Sequence, residues 1–153
     1  MKVNPELIKF LQPYEDSIQK LTLDLRSFII DLVPEVNELI WDNYNAVAMA
    51  YSKSKQLKDA FCHLAVYSRH VNFGFNRGSE IDIPSSIKLE GSGKLIRHLK
   101  VYNFDSFPKS VMEKLIWEAV VNAERINPSL IQINEKGLSI VMSISPKKKR
   151  PNK

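Results

Sequence analysis

The spacing of apolar positions changes along the chain and separates helical from extended segments. Over residues 13–32, apolar side chains recur every three or four positions, which predicts a helix with one buried and one solvated face. The same spacing over 108–125 predicts a second long helix. A short helix is expected over 34–40, which would place Trp41 in the core.

Strand-like patterns occupy the middle and the end of the chain. Runs at 45–51, 60–68 and 71–76 predict three successive strands, and in the last of these apolar and polar side chains alternate. Their short connections favour an antiparallel meander. Residues 94–101 fit helix or strand by periodicity alone, and we favour a fourth strand because the run is short and follows glycines. Residues 130–145 predict a hairpin around NEKG.

These elements predict an α+β domain in which helices pack on one small antiparallel sheet of three to five strands. We expect this domain over residues 1–128, a hairpin extension over 129–145 and a basic disordered tail over 146–153. An apolar hairpin face could pair two copies into a homodimer. No apolar run approaches the roughly 20 residues that span a bilayer, and the first residues do not fit a signal peptide, so a cytoplasmic protein is expected.

Charge and cysteine usage narrow the function classes. The net charge is +5, and five basic residues with no acid lie in the last seven positions, so the rest of the chain is electrically balanced. Contact with nucleic acid is therefore expected only through the tail. Cys62 is the single cysteine, which excludes an intrachain disulfide and a thiol-rich metal site. It lies in an apolar run and is expected to be buried.

One part of the chain resembles a known family. The segments VNFGFNRG (71–78) and LEGSGKLIRH (89–98), with Trp41 and Tyr44 after the first long helix, resemble the YdhG-like family of bacterial domains of unknown function over about residues 5–125. The resemblance implies a compact bacterial α+β domain. Some relatives are described as frataxin-like iron chaperones, so the resemblance gives iron handling as an alternative function.

The second of these segments also suggests an anion site. It is not a phosphate loop of the nucleotide-hydrolysing kind, because Lys88 and Leu95 stand where that motif needs a glycine and a Ser or Thr. Flexible glycine backbone and neighbouring cations still suit phosphate or carboxylate. The alternative is that these cations are solvated or paired with nearby acids. The candidate residues are Arg77, Gly91, Gly93, Lys94, Arg97, His98 and Lys100.

Catalytic and metal-binding sets are not indicated. Cys62 and His63 are adjacent in a predicted strand and would point to opposite faces. His63, His70 and His98 could meet only if neighbouring strands bring them together, so no catalytic residue, metal ligand or cofactor is nominated. The predicted function is a non-enzymatic binding or accessory domain whose partner is an anionic small molecule or another protein. Iron chaperoning and tail-driven nucleic-acid association are the alternatives.

Overall fold

A computed structural model describes residues 1–133 and 135–151, and within these ranges it contains three α-helices and one six-stranded sheet. Short 3₁₀ turns connect several of these elements. The helices are α1 (Pro5–Leu11), α2 (Asp16–Leu32) and α3 (Lys109–Ile126), and the strands are β1 (Asn37–Asp42), β2 (Val47–Ser52), β3 (Ala60–Val66), β4 (Val71–Phe75), β5 (Arg97–Val101) and β6 (Ser139–Ile144).

The strands lie in the order β5-β4-β3-β2-β1-β6. The first five form an antiparallel meander, whereas β6 pairs with β1 in parallel at the edge. The α+β class is therefore confirmed, but the sheet is larger than predicted and is mixed rather than antiparallel. The two long predicted helices correspond to α2 and α3, and the four strand predictions between residues 45 and 101 correspond to β2, β3, β4 and β5.

The helix predicted over 34–40 is wrong, because β1 begins at Asn37. This strand lies inside the sheet and has side chains buried on both faces, so its sequence lacks the alternation that marks a half-buried strand. Trp41 is half-buried on the face of the sheet that the helices do not cover. The prediction also missed α1, at whose start the Asn4 side chain accepts from the backbone N–H of Glu6.

The hairpin predicted over 130–145 is not present among the described residues of that range, and Asn134 of its predicted turn lies outside them. The first half of the predicted hairpin is a 3₁₀ turn, Pro128–Gln132, and its second half is β6, which joins the main sheet. The Asn37 side chain fixes this arrangement, because its Oδ1 accepts from the backbone N–H of Leu138 at 3.0 Å and its Nδ2 donates to the carbonyl of Glu135 at 3.0 Å. The 129–145 extension is thus continuous with the sheet of the main domain.

The core lies between the helices and one face of the sheet, where side chains such as Leu25, Ile29, Phe73 and Ile116 are buried. Cys62 is also buried there, and burial raises the pKa of its thiol well above the usual value. None of the helices in the described residues is long and apolar enough to cross a bilayer.

A buried ion pair lies inside this core. Arg26 Nε donates to Glu38 Oε2 at 2.7 Å, and both side chains are almost fully buried. Tyr51 donates to the same carboxylate oxygen at 2.8 Å, and Ser139 of β6 donates to the other at 2.8 Å. Every oxygen of the buried carboxylate therefore has a partner, as burial of a charge requires.

Candidate functional site

The three helices cover one face of the sheet, and the opposite face forms the floor of a cavity. Because side chains alternate along each strand, the rows that cross this face are set by the strand register. One row runs from Leu39 through Ala50 and His63 to Gly74 and His98. Small side chains in the middle of the row leave space between Trp41 on one side and His63 on the other.

The cavity over this face has a volume of about 750 Å³. Its floor includes Ala48 and Ala50, and its ends come from two connecting segments. The 3₁₀ turn Leu57–Asp59 supplies Leu57 and Lys58, and the loop before β5 supplies apolar side chains that are partly exposed. The remaining lining residues are Trp41, Asn43, Met49, His63, Asn76, Arg77, Leu95 and Ile96.

His63 is held in one orientation beside the floor. Its Nδ1 lies 2.9 Å from Asn76 Oδ1, and because an amide oxygen only accepts, Nδ1 carries the proton. Burial lowers the pKa of His63, so the imidazole is neutral at pH 7. Nε2 makes no hydrogen bond to the described residues and is not among their buried unpartnered atoms, which leaves its lone pair available to the cavity.

The charge at one end of the cavity is positive. Lys58 is exposed and forms no ion pair with the described residues, and none of the described lining residues is an Asp or Glu. Arg77 is paired with Glu80 through two hydrogen bonds of 2.7 Å, and Asn122 donates to the same carboxylate at 3.0 Å. These bonds, chiefly those from Arg77, lower the pKa of Glu80 to about 2.

The glycine-rich loop is ordered by its own contacts. Gly91 has a φ of 133°, and a Cβ there would lie 2.6 Å from the Ile96 carbonyl oxygen, so only glycine fits. Arg97 donates through Nη1 to the carbonyls of Gly93 at 2.8 Å and Ile96 at 2.7 Å. The Lys94 carbonyl accepts from the Ser79 hydroxyl at 2.6 Å.

The seven predicted anion-site residues therefore do not gather around one point. Arg77 lines the cavity, whereas Arg97 contacts Gly91 and Gly93 within the adjacent loop. His98 lies one strand beyond Gly74 with Nε2 3.8 Å from Glu90. Lys94 and Lys100 are exposed, and neither forms an ion pair with the described residues. Arg77 pairs with Glu80, and His98 lies near Glu90, so these two residues meet nearby acids as the alternative expected.

Sequence analysis missed most of the cavity lining. Trp41 was expected in the core, and Lys58 was assigned to a connecting loop without a role. The alternation of alanines at positions 46, 48 and 50, of which the last two lie in β2, was a usable signal, because small side chains on one face of a strand leave room for a ligand. His63 was considered as a metal ligand and as a partner of Cys62.

The part of the chain that the structure describes contains no set of ligands for a resident metal ion. No group of three or more His, Cys, Asp or Glu side chains there is arranged to hold an ion. The iron-chaperone alternative stays a prediction. No protein-family model, curated protein or solved structure matches this chain, so its likeness to the YdhG-like family also stays a prediction.

Proposed function

We propose that this protein is a binding domain rather than an enzyme, and that it holds a small organic anion in the cavity on the open sheet face. The single observation that supports this most is the free Nε2 of His63 beside a floor of alanines. The volume of about 750 Å³ lies in the range of roughly 300 to 1,000 Å³ that is typical of small-molecule sites.

The lining favours a flat apolar body. Ala48 and Ala50 leave a smooth surface, and Trp41 offers an aromatic side chain at its edge. An aromatic ring laid on this floor would bury apolar area that is now open to water, which stabilises binding by about 25 cal/mol per Å². An aliphatic chain would gain less from contact with the indole of Trp41.

The polar groups favour one donor and one negative charge on the ligand. Because Nε2 of His63 can only accept, the matching ligand group is a hydroxyl or an N–H. The cation at Lys58 and the absence of acids from the described lining favour a carboxylate or similar anion near that end. A hydroxylated aromatic carboxylate combines all three features.

Isothermal titration calorimetry with three matched compounds tests the proposal. Hydroxynaphthoate carries the ring, the donor and the charge; naphthoate lacks the donor, and hydroxynaphthamide lacks the charge. We expect hydroxynaphthoate to bind most tightly, and loss of the hydroxyl to weaken binding roughly two- to ten-fold, as for one hydrogen bond. Equal affinities for all three compounds, or no binding, would reject the proposal.

Variants assign the binding to this cavity. Ala50→Leu should fill the floor and abolish binding. Lys58→Ala should weaken hydroxynaphthoate roughly two- to five-fold, as for an exposed ion pair of about 0.5 to 1 kcal/mol, and leave hydroxynaphthamide unchanged. Lys55→Ala is the matched control, because Lys55 pairs with Glu135 and does not line the cavity. Binding that survives Ala50→Leu would place the ligand elsewhere.

A further inference from the structure

A second surface lies at one end of the sheet, where the strands reach the turn between β3 and β4. The register places Asp42, Val47, Val66, Val71 and Val101 in one row across five strands. The segments that leave this row meet at the same end of the sheet. They are the connection after β1, the Tyr67–His70 turn, the residues after β5 and the basic residues that follow β6.

Three aromatic side chains form a continuous row at this end. Tyr67 and His70 are stacked, with ring centroids 5.1 Å apart and an interplanar angle of 21°. His70 also contacts Tyr102, whose centroid is 5.8 Å away. Tyr102 is 62% exposed, and this exposure leaves aromatic surface available for a further ring. These residues took no part in the cavity on the open sheet face.

The basic end of the chain is held beside this row. Arg150 and Lys148 both contact the carboxylate of Asp42, which is almost fully buried, and Arg150 also donates to the Asn43 and Tyr44 carbonyls. Two cations thus share one acid, so the cluster of Lys148, Arg150 and Asp42 retains a positive charge. The tail over 146–153 was expected to be disordered. Among its described residues, Lys148 and Arg150 contact the domain.

A smaller cavity of about 400 Å³ joins the basic end to the aromatic row. Tyr67 and Ser68 from the turn line it together with Lys149 and Arg150, and none of its described lining residues is an Asp or Glu. Arg69 and Lys100 add exposed charge beside His70, and neither they nor Lys149 form an ion pair with the described residues. Glu90 is the acid that interacts electrostatically with His70, and its Oε2 lies 3.8 Å from His98 Nε2.

We propose that this end of the sheet binds single-stranded nucleic acid, with bases stacked on the Tyr67–His70–Tyr102 row and phosphates beside Lys149, Lys100 and Arg69. Aromatic side chains next to a positively charged groove are the combination by which single strands are bound without sequence preference. The aromatic row distinguishes this site from the sequence-blind attraction of a basic tail alone, and the site is independent of the ligand cavity.

Fluorescence anisotropy with labelled oligothymidylate and oligouridylate of about 15 nucleotides tests the proposal, since that length matches the usual site sizes. We expect binding at low salt that weakens as salt rises. Tyr102→Ala should lower the affinity roughly five-fold or more and Tyr102→Phe should retain it, because stacking needs only the ring. Trp117→Ala is the control, since Trp117 is an exposed aromatic on α3.

The outcomes separate the proposal from its competitors. The proposal would be overturned if Tyr102→Ala left the affinity unchanged while the double variant Lys147→Ala, Lys149→Ala abolished binding. That result would mean that the charge of the tail alone binds the oligonucleotide. Duplex DNA of the same length that binds as tightly would also overturn it, because paired bases cannot stack on the row. A free mononucleotide that displaces the oligonucleotide completely at equal nucleotide concentration would assign a nucleotide site instead. No binding at low salt would reject nucleic acid altogether. Because Tyr102 is largely exposed, its replacement should leave the thermal melting temperature unchanged.

Discussion

The imidazole of His63 lies over Gly74 in the space that the side chain of any other residue at position 74 would need. An ideal Cβ on Gly74 would lie 2.2 Å from His63 Nε2 and 2.3 Å from Cε1. The two residues are direct partners in the β3–β4 register. The glycine therefore allows the ring to lie flat against the sheet, where Nδ1 reaches Asn76 and Nε2 borders the cavity.

Replacing this glycine should move the ring and lower stability. We expect Gly74→Ala to cost about 1 to 3 kcal/mol of unfolding free energy, because the methyl group must displace a packed imidazole and break its bond to Asn76. Urea denaturation measures the loss. Gly93→Ala is the matched control, since nothing lies within 4 Å of its added Cβ. Equal stability of the two variants would mean that the ring rearranges without cost.

The buried ion pair gives a second prediction. Arg26→Met should cost about 3 to 5 kcal/mol, because it leaves the buried carboxylate of Glu38 without its counter-ion. Arg26→Met combined with Glu38→Leu should be more stable than Arg26→Met alone, since the double variant leaves no unpaired charge. Lys20→Ala breaks an exposed pair with Asp24 and serves as the control, with no measurable loss expected. A double variant no more stable than Arg26→Met would contradict this account.

The sequence predicted the elements whose patterns are local. The two long helices have regular apolar spacing, and β4 has strict alternation, so each could be found without knowing its neighbours. β1 was mistaken for a helix because its burial on both faces depends on a sheet and helices that are distant in sequence. The position of β6 depends on a parallel pairing with β1 and on the Asn37 side chain, which no local pattern encodes.

The candidate site was harder to predict than the fold. Arg77 was predicted to belong to an anion site, whereas the structure pairs it with Glu80 in a local turn, and Asn122 on α3 bonds the same carboxylate. The cavity depends on cross-strand neighbours such as Ala50 and His63, which are 13 positions apart in the chain. Spacing within one segment cannot reveal such a set.

The contact of the basic residues with Asp42 predicts the behaviour of the chain end. Asp42→Asn should release Lys148 and Arg150, because the amide cannot balance two cations. Trypsin should then cleave after Lys147, Lys148 and Lys149 faster than in the wild-type protein, as measured by mass spectrometry of timed digests. Asp31→Asn is the control, since Asp31 is an exposed acid on α2. Unchanged cleavage would show that the backbone bond from Lys149 to Tyr44 is sufficient to hold the segment.

Glu80 gives a prediction that pH titration tests directly. Its pKa of about 2 lies below the ordinary value of 4.5, chiefly because of the hydrogen bonds from Arg77 and Asn122. The pair therefore contributes its full stability above pH 4.5 and loses it as pH falls toward about 2. Arg77→Ala should raise the pKa of Glu80 in a carboxyl carbon NMR titration. Lys109→Ala, at a distant cation that bonds the Phe104 carbonyl, should leave it unchanged.

The neutral state of His63 predicts how ligand affinity depends on pH. Burial lowers the pKa of His63 below 6.5, so Nε2 keeps its lone pair at neutral pH and takes up a proton only on stronger acidification. The ratio of the hydroxynaphthoate affinity to the naphthoate affinity should therefore be constant above pH 6.5 and fall below it, because a protonated Nε2 no longer accepts from the hydroxyl. Calorimetric titrations of both compounds across this range measure the ratio. In His63→Phe, which keeps a ring but has no acceptor, the ratio should be near one at every pH. A ratio that changes with pH in that variant would assign the titration to a different group.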